Sequence, residues 1–142
     1  MARKIIQLRE ITSTPSDIMQ LIIKELTQAF GPTRVLDKLS VETGTVNSLV
    51  LVGPSGGGKS TLLRILAGLD TPISGTVTFD ETTLGRDEAS LRLYRRTIGT
   101  VFQSYNLFSH LSARENLILP LVHVHGLSRD ESLARVEEPL KR

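Results

Sequence analysis

Leu49-Val50-Leu51-Val52-Gly53-Pro54-Ser55-Gly56-Gly57-Gly58-Lys59-Ser60-Thr61 is the stretch on which the reading of this chain turns. Four consecutive apolar residues ending at a glycine predict a short strand buried on both faces of a parallel sheet. The glycines that follow let the backbone fold tightly and turn successive N–H groups inward, and a helix beginning directly after them presents its positive end to the same point. Leu62, Leu63, Ile65, Leu66, Ala67 and Leu69 form the apolar stripe of that helix, which Gly68 and Pro72 bring to a stop. A G-x-x-x-x-G-K-S spacing set between an apolar strand and an amphipathic helix is a phosphate-binding loop. In that arrangement Lys59 reaches the β- and γ-phosphates as a point charge, the Ser60 hydroxyl is a ligand of the Mg²⁺ that bridges them, and Thr61 adds a second hydroxyl. Gly53, Pro54, Ser55, Gly56, Gly57, Gly58, Lys59, Ser60 and Thr61 are therefore the candidate residues for holding a nucleoside triphosphate, with ATP favoured.

Around this centre the composition sets bounds. The 142 residues suffice for one domain with its own core, but are few for a nucleotide-driven machine that also needs a coupling surface. Seventeen Lys and Arg against fifteen Asp and Glu leave a net charge of only +2 with both signs scattered, which argues against a nucleic-acid partner. The absence of cysteine removes disulfides and thiolate metal sites and fits a reducing compartment. The N-terminus has too few consecutive apolar residues for a signal segment, and no apolar run approaches a membrane span, so direct membrane insertion is not expected.

Working outward, residues 1–18 read as an extension, closing in the turn-like cluster Thr12-Ser13-Thr14-Pro15-Ser16. The apolar positions between Asp17 and Phe30 suit a helix, although Met19–Ile23 would serve equally as a strand. Thr76-Val77-Thr78-Phe79 alternates in the manner of a half-exposed antiparallel strand. Asp87 caps a short helix to about Arg95, and Ile98–Phe102 reads as a further strand ending at Gln103. Ser112 with Glu115, and Ser128 with Glu131, are capping-box pairs that open two helices. Pro120 should kink or end the first, and Pro139 disfavours helix to the last residue.

Several landmarks together carry a resemblance. Gly53–Leu69, then Ser74-Gly75, then Val101-Phe102-Gln103, resemble the ATP-binding subunit of ABC transporters, over residues 19–142. The fold this implies is α/β, a P-loop NTPase of the ABC ATPase type, with an N-terminal antiparallel β subdomain, the start of a helical subdomain and an incomplete sheet. It makes residues 19–27 a strand. It also implies that Phe30 stacks on adenine and that Gln103 lies by the Mg²⁺ and the attacking water. The segment after Gln103, from Ser104 to Leu111, resembles the one that contacts a permease. Implied partners are transmembrane permease subunits and a second ATP-binding subunit in a homodimer. The implied location is cytoplasmic, peripheral on the inner face of the cell membrane. The wording around Gln103 and Glu115-Asn116 is most similar to importers of polar amino acids, with lipoprotein-releasing and macrolide-export types nearby.

Two departures stand out. Val46-Asn47 occupies the place where the family has Gly-Glu, with Gly44 two residues early. No Leu-Ser-Gly-Gly-Gln signature, no Walker B strand and no switch histidine follow. Asp80-Glu81 does not replace the Walker B acids, because Thr76 and Thr78 alternate with Val77 and Phe79 where a buried strand would be continuously apolar. Ser112 lacks the paired glycines of a signature, and His110, His123 and His125 have no metal-like companions. The expectation is therefore a chain that binds ATP weakly and turns it over negligibly. A soluble ABC-type ATPase without a permease and a non-catalytic nucleotide-binding fragment remain alternatives.

Overall fold

The computed structural model of the chain describes residues 7–11, 19–137 and 140. It divides into two compact units, residues 1–97 and 98–142. The first unit holds β1 (Gln7–Ile11), β2 (Leu21–Phe30), β3 (Thr33–Glu42), β4 (Ser48–Val52), α1 (Lys59–Leu66), β5 (Ser74–Phe79), β6 (Thr82–Thr83) and α2 (Glu88–Arg95). The second holds α3 (Ala113–His123) and α4 (Arg129–Glu137).

Strands β3-β2-β5-β6 form an antiparallel sheet in that order, and β1 pairs antiparallel with β4 in a second, two-stranded sheet. Residues 19–27 are therefore a bridge residue and the start of a strand, as the resemblance implied, and the reason their pattern suggested a helix is visible. Leu21 and Ile23 are buried by strand alternation, but the next buried residues are Leu26 and Gln28, not Glu25 and Thr27. A bulge at Glu25, whose φ is 48°, inserts one extra residue and moves the inward face by one position. The step from Ile23 to Leu26 then mimics helical spacing. Lys38 on β3 takes a matching left-handed conformation, its N–H donating to Thr27 Oγ1, and Glu25 N–H donates to Ser40 Oγ.

Strand β5 crosses this bulge at Gly75, where a Cβ would fall 2.5 Å from Leu26 Cα and 2.6 Å from the Glu25 carbonyl group. Only glycine, at φ 91°, lets the two backbones approach so closely. Beneath the sheet Leu21, Ile23, Leu26, Leu36, Leu62, Ile65 and Val77 are almost fully buried and form the core. The turn that lacks the family's Gly-Glu is nonetheless well held. Val46 is buried and exchanges both backbone hydrogen bonds with Met19, while Thr43 Oγ1 accepts from Leu21 N–H.

Helix α2 is capped by Asp87, whose carboxylate accepts from Ser90 N–H and Ser90 Oγ; these bonds hold it below the usual carboxylate range. Its Tyr94 is buried, stacks on Phe79 with centroids 6.3 Å apart, and donates its hydroxyl to the Leu66 carbonyl at the end of α1 at 2.6 Å. Gly68, at φ 65°, ends α1 as expected.

Three expectations are corrected. Leu49–Val52 is apolar on both faces, but its partner is the antiparallel β1; Val50 and Val52 are each 40 % exposed, because no parallel strand lies beside β4 among the described residues. Gln7–Ile11, placed in the N-terminal extension, is that partner strand; the turn-like cluster after it lies outside the described residues. Ile98–Phe102 forms no strand, and Val101 is 85 % exposed; an extended segment without a ladder partner has nothing to satisfy its backbone in register. In the second unit both capping boxes form, Ser112 with Glu115 and Ser128 with Glu131, and α3 packs on α4. Helix α3 does not end at Pro120 but runs on to His123, and α4 is described from Arg129 to Glu137, with Pro139 outside the described residues.

Two outcomes follow from this packing. Gly75→Ala should destabilise the first unit by about 2 kcal/mol or more, read as a fall in urea midpoint, because its new methyl group meets backbone. Burial pushes the Tyr94 hydroxyl up to about 12 from 10.0, so the folded state favours the neutral phenol. Its contribution is complete below the unfolded value and is lost as pH rises from there through the folded one. Urea midpoints measured on that alkaline limb should fall more steeply for the natural chain than for Tyr94→Phe.

Candidate functional site

The loop from Gly53 to Gly58 leaves the end of β4 and delivers the chain into α1. Its shape is dictated by backbone freedom at three glycines. Gly56 and Gly58 lie in the left-handed region at φ 71° and 90°. Gly57 N–H donates to the Pro54 carbonyl at 3.1 Å, and a Cβ on Gly57 would stand 2.9 Å from that same oxygen. Gly58 is pressed against β3: a Cβ there would lie 3.0 Å from the Val35 carbonyl and 3.0 Å from Leu36 Cδ2. The loop is thus clamped from outside by β3 and closed from inside by its own hydrogen bond.

Lys59 completes the closure. Its ammonium donates to the carbonyls of Gly53 at 2.7 Å and Pro54 at 2.8 Å, tying the exit of β4 to the first residue of α1. Gly58 is the N-cap of α1 and supplies no capping side chain, so first-turn N–H groups of the helix are not taken up by a capping side chain. These groups, the helix dipole and the Lys59 charge converge on one place, which can stabilise an anion. Ser60 is exposed and Thr61 half-buried in that first turn.

Phe30 stands 54 % exposed at the tip of the β2–β3 hairpin, just before Gly31 at φ 56°. The same hairpin carries Val35 and Leu36, so the structure brings Phe30 and the clamp on Gly58 into one element. Gln103 belongs to the second unit, where it opens an exposed turn in which Tyr105 and Asn106 both take left-handed conformations, at φ 57° and 55°. That turn is anchored from α3. Asn116 Nδ2 donates to the carbonyls of Phe108, Leu111 and Ser112, and its Oδ1 accepts from Phe108 N–H. Sequence reasoning missed Val35, Leu36 and the anchoring role of Asn116. No local pattern marks them, since Gly58 lies more than twenty positions after the residues that clamp it.

The loop fits a phosphate chain on its geometry: a methyl group at Gly57 would stand against the Pro54 carbonyl within it, and its donors are backbone N–H groups and an ammonium. For Mg²⁺, no cluster of three or more His, Asp or Glu suited to a metal exists among the described residues. A single hydroxyl such as that of Ser60 suits an ion that keeps its waters and binds largely through substrate phosphates.

With that geometry in place, comparison with known proteins is direct. The sequence pattern of the ABC transporter family matches residues 36–142. The chain belongs to the ABC transporter family. It is 44 % identical over 118 residues to the arginine transport ATP-binding protein ArtP of Escherichia coli (strain K12), covering 80 % of this chain and 48 % of ArtP. It is 42 % identical over 121 residues to the spermidine/putrescine import ATP-binding protein PotA of Pseudomonas aeruginosa (strain UCBPP-PA14), covering 85 % of this chain and 32 % of PotA. Among solved structures it resembles the dimeric post-hydrolysis state of the ATP-binding cassette MJ0796 bound to ADP and Pi. There the TM-score is 0.66 and the identity 32 %, over 85 % of this chain and 56 % of that one. The chain thus spans a third to about a half of these ABC proteins. Its fold is that of an ABC ATPase, α/β and built on a P-loop, with the antiparallel β subdomain formed and the sheet not closed.

Gly58→Ala should cost about 1–3 kcal/mol, because a left-handed φ and two contacts near 3.0 Å oppose the added methyl. The measurement is a chemical melt, with Gly56→Ala, where a Cβ meets nothing within 4 Å, expected to lose less.

Proposed function

We propose that this chain is the nucleotide-binding part of an ABC importer ATPase, and that it holds ATP with Mg²⁺ on the loop Gly53–Thr61. The observation that carries this reading is the loop closed by Lys59 and set ahead of an uncapped helix start. Lys59 turns toward the β- and γ-phosphates, the backbone of Ser55–Ser60 surrounds the phosphate chain, and Ser60 and Gln103 hold Mg²⁺. Phe30 offers its exposed ring to adenine, and Thr61 adds a hydroxyl to the first turn. ATP with Mg²⁺ supplies a phosphoryl group that passes to water, a reaction governed by positioning and charge neutralisation. Lys59 and Gln103 are the residues of this chain that would serve it.

The domain is read as residues 19–142, with β1 (Gln7–Ile11) paired onto its β4 from the preceding segment. The partners proposed are transmembrane permease subunits and a second ATP-binding subunit in a homodimer, at the inner face of the cell membrane. Membership of the family and the names of ArtP and PotA support import of a small polar solute, and the resemblance around Gln103 supports an amino acid. No helix among the described residues is long and apolar enough to cross a membrane. Without a signature or Walker B acids in these 142 residues, the chain alone is proposed to bind nucleotide and not to turn it over.

Titration calorimetry with Mg²⁺ and ATP tests the reading. The natural chain should bind, Lys59→Ala should weaken binding at least about tenfold, roughly 1.4 kcal/mol, and Phe30→Ala should weaken it less. Equal affinity of the natural chain and Lys59→Ala would sink the assignment, and Lys59-dependent phosphate release would overturn the proposed lack of turnover.

A further inference from the structure

Helix α1 carries Lys59, Ser60 and Thr61 in its first turn, so wherever the helix is placed those groups are placed with it. Its eight residues span about 12 Å at a rise of about 1.5 Å per residue, a stiff rod between the phosphate loop and its own far end. The last four carbonyls of a helix have no partner inside it. Here all four are taken. The Leu63 carbonyl accepts from Ala67 N–H, that of Arg64 from Leu69 and Asp70 N–H, and that of Ile65 from Gly68 N–H. The fourth, on Leu66, accepts from the Tyr94 hydroxyl at 2.6 Å.

The first three of these, and the fork of Arg64 onto Asp70, lie within residues 63–70 and travel with the helix. Leu62 and Ile65 hold α1 from outside by burial, but apolar contact has no direction and tolerates sliding along the core. The Tyr94 bond differs in kind. It comes from α2, and it has a set length and line. Helix carbonyls point along the axis toward the C-terminus, so a donor held on the last of them opposes lengthwise movement. Tyr94 is itself fixed: it is 7 % exposed, its ring stacks on Phe79 of β5, and it lies where a Cβ on Gly68 would meet it at 3.0 Å. Burial raises its hydroxyl to about 12, which keeps the donor proton in place at ordinary pH. At the front of the helix, Gly58 packs against Val35 and Leu36 of β3. Helix α1 is thereby set lengthwise between β3 ahead of it and Tyr94 behind it.

We propose that Tyr94 is a positioning residue for the nucleotide site: by holding the Leu66 carbonyl it fixes α1 along its axis, and with it the Lys59 ammonium, the Ser60 hydroxyl and the first-turn N–H groups. This rests on the reading of Gly53–Thr61 as the ATP loop. Hydrogen bonds to phosphate oxygens weaken with small changes of distance and angle, so a lengthwise shift at one end of the rod is felt at the other.

Tyr94→Phe removes the hydroxyl and keeps the ring. Two measurements on the whole chain read its effect, calorimetric titration with Mg²⁺ and ATP, and amide nuclear magnetic resonance of the nucleotide-free protein. Tyr94→Phe should weaken ATP binding at least about threefold, the scale of one net hydrogen bond. It should also shift the amide signals of Lys59, Ser60 and Thr61 together with those near Leu66. In a Lys59→Ala chain the same change should cost markedly less, because the charge that the helix places is gone. Para-aminophenylalanine at position 94 returns an N–H donor to the same point of the ring and should restore both affinity and signals. A residue that only stabilised the fold would leave the first-turn amides and the affinity of the folded chain where they were. Lys59-dependent binding by the natural chain, with unchanged affinity in Tyr94→Phe, would overturn the positioning role and leave the loop assignment standing. Absence of Lys59-dependent binding would remove both. Signals displaced around Leu66 alone, or no recovery with the amino analogue, would also overturn the role of Tyr94.

Discussion

The ammonium of Lys59 lies across the loop that precedes it, donating to the carbonyls of Gly53 and Pro54. Charge-assisted bonds of this kind are stronger than those between neutral groups, and here they join the first two residues of the loop to the first residue of α1. The rest of the first unit can be seen as what makes this closure possible. Strand β4 sets one end, α1 the other, and β3 packs against Gly58, whose left-handed φ and contacts near 3.0 Å oppose a side chain there. The positive end of α1 and the lysine charge then occupy the same small volume, so the site is electrostatically prepared for an anion before any side chain moves.

A second constraint, the bulge at Glu25, works at a distance from the loop but supports it. By shifting the inward face of β2 it places Leu26 and Gln28 in the interior. Gln28 Oε1 accepts from Ile73 N–H, and Gly75 passes over the bulged backbone. Strand β5 is held close to β2 on one side while β3 runs along the other to reach Gly58. The hairpin that backs the phosphate loop, and that carries Phe30 at its tip, owes its position to an extra residue and a missing side chain.

The legible part of the chain was the part whose physics is local. The glycine loop between strand and helix, the cap at Asp87 and the two capping boxes each involve residues within a few positions of one another, and each took the form expected. Other readings depended on partners. Among the described residues Ile98–Phe102 has strand composition but no strand beside it, and Leu49–Val52 has the composition of a central strand but borders only β1. Composition states what a strand would tolerate, and it cannot supply a neighbour. Pro120 is a further case: a missing N–H costs one bond of the ladder, yet α3 continues past it to His123.

The amino-acid order by itself determined the cradle, its strand-to-helix setting and the family, because backbone freedom at glycine and the reach of one lysine act over a handful of residues. Only the tertiary structure decided that Gly58 is held by Val35 and Leu36, that Asn116 anchors the turn after Gln103, and that β2 is a bulged strand where its spacing resembled a helix. Those outcomes rest on contacts between residues far apart in the chain. Such contacts depend on which surfaces are brought together, and no local periodicity records that.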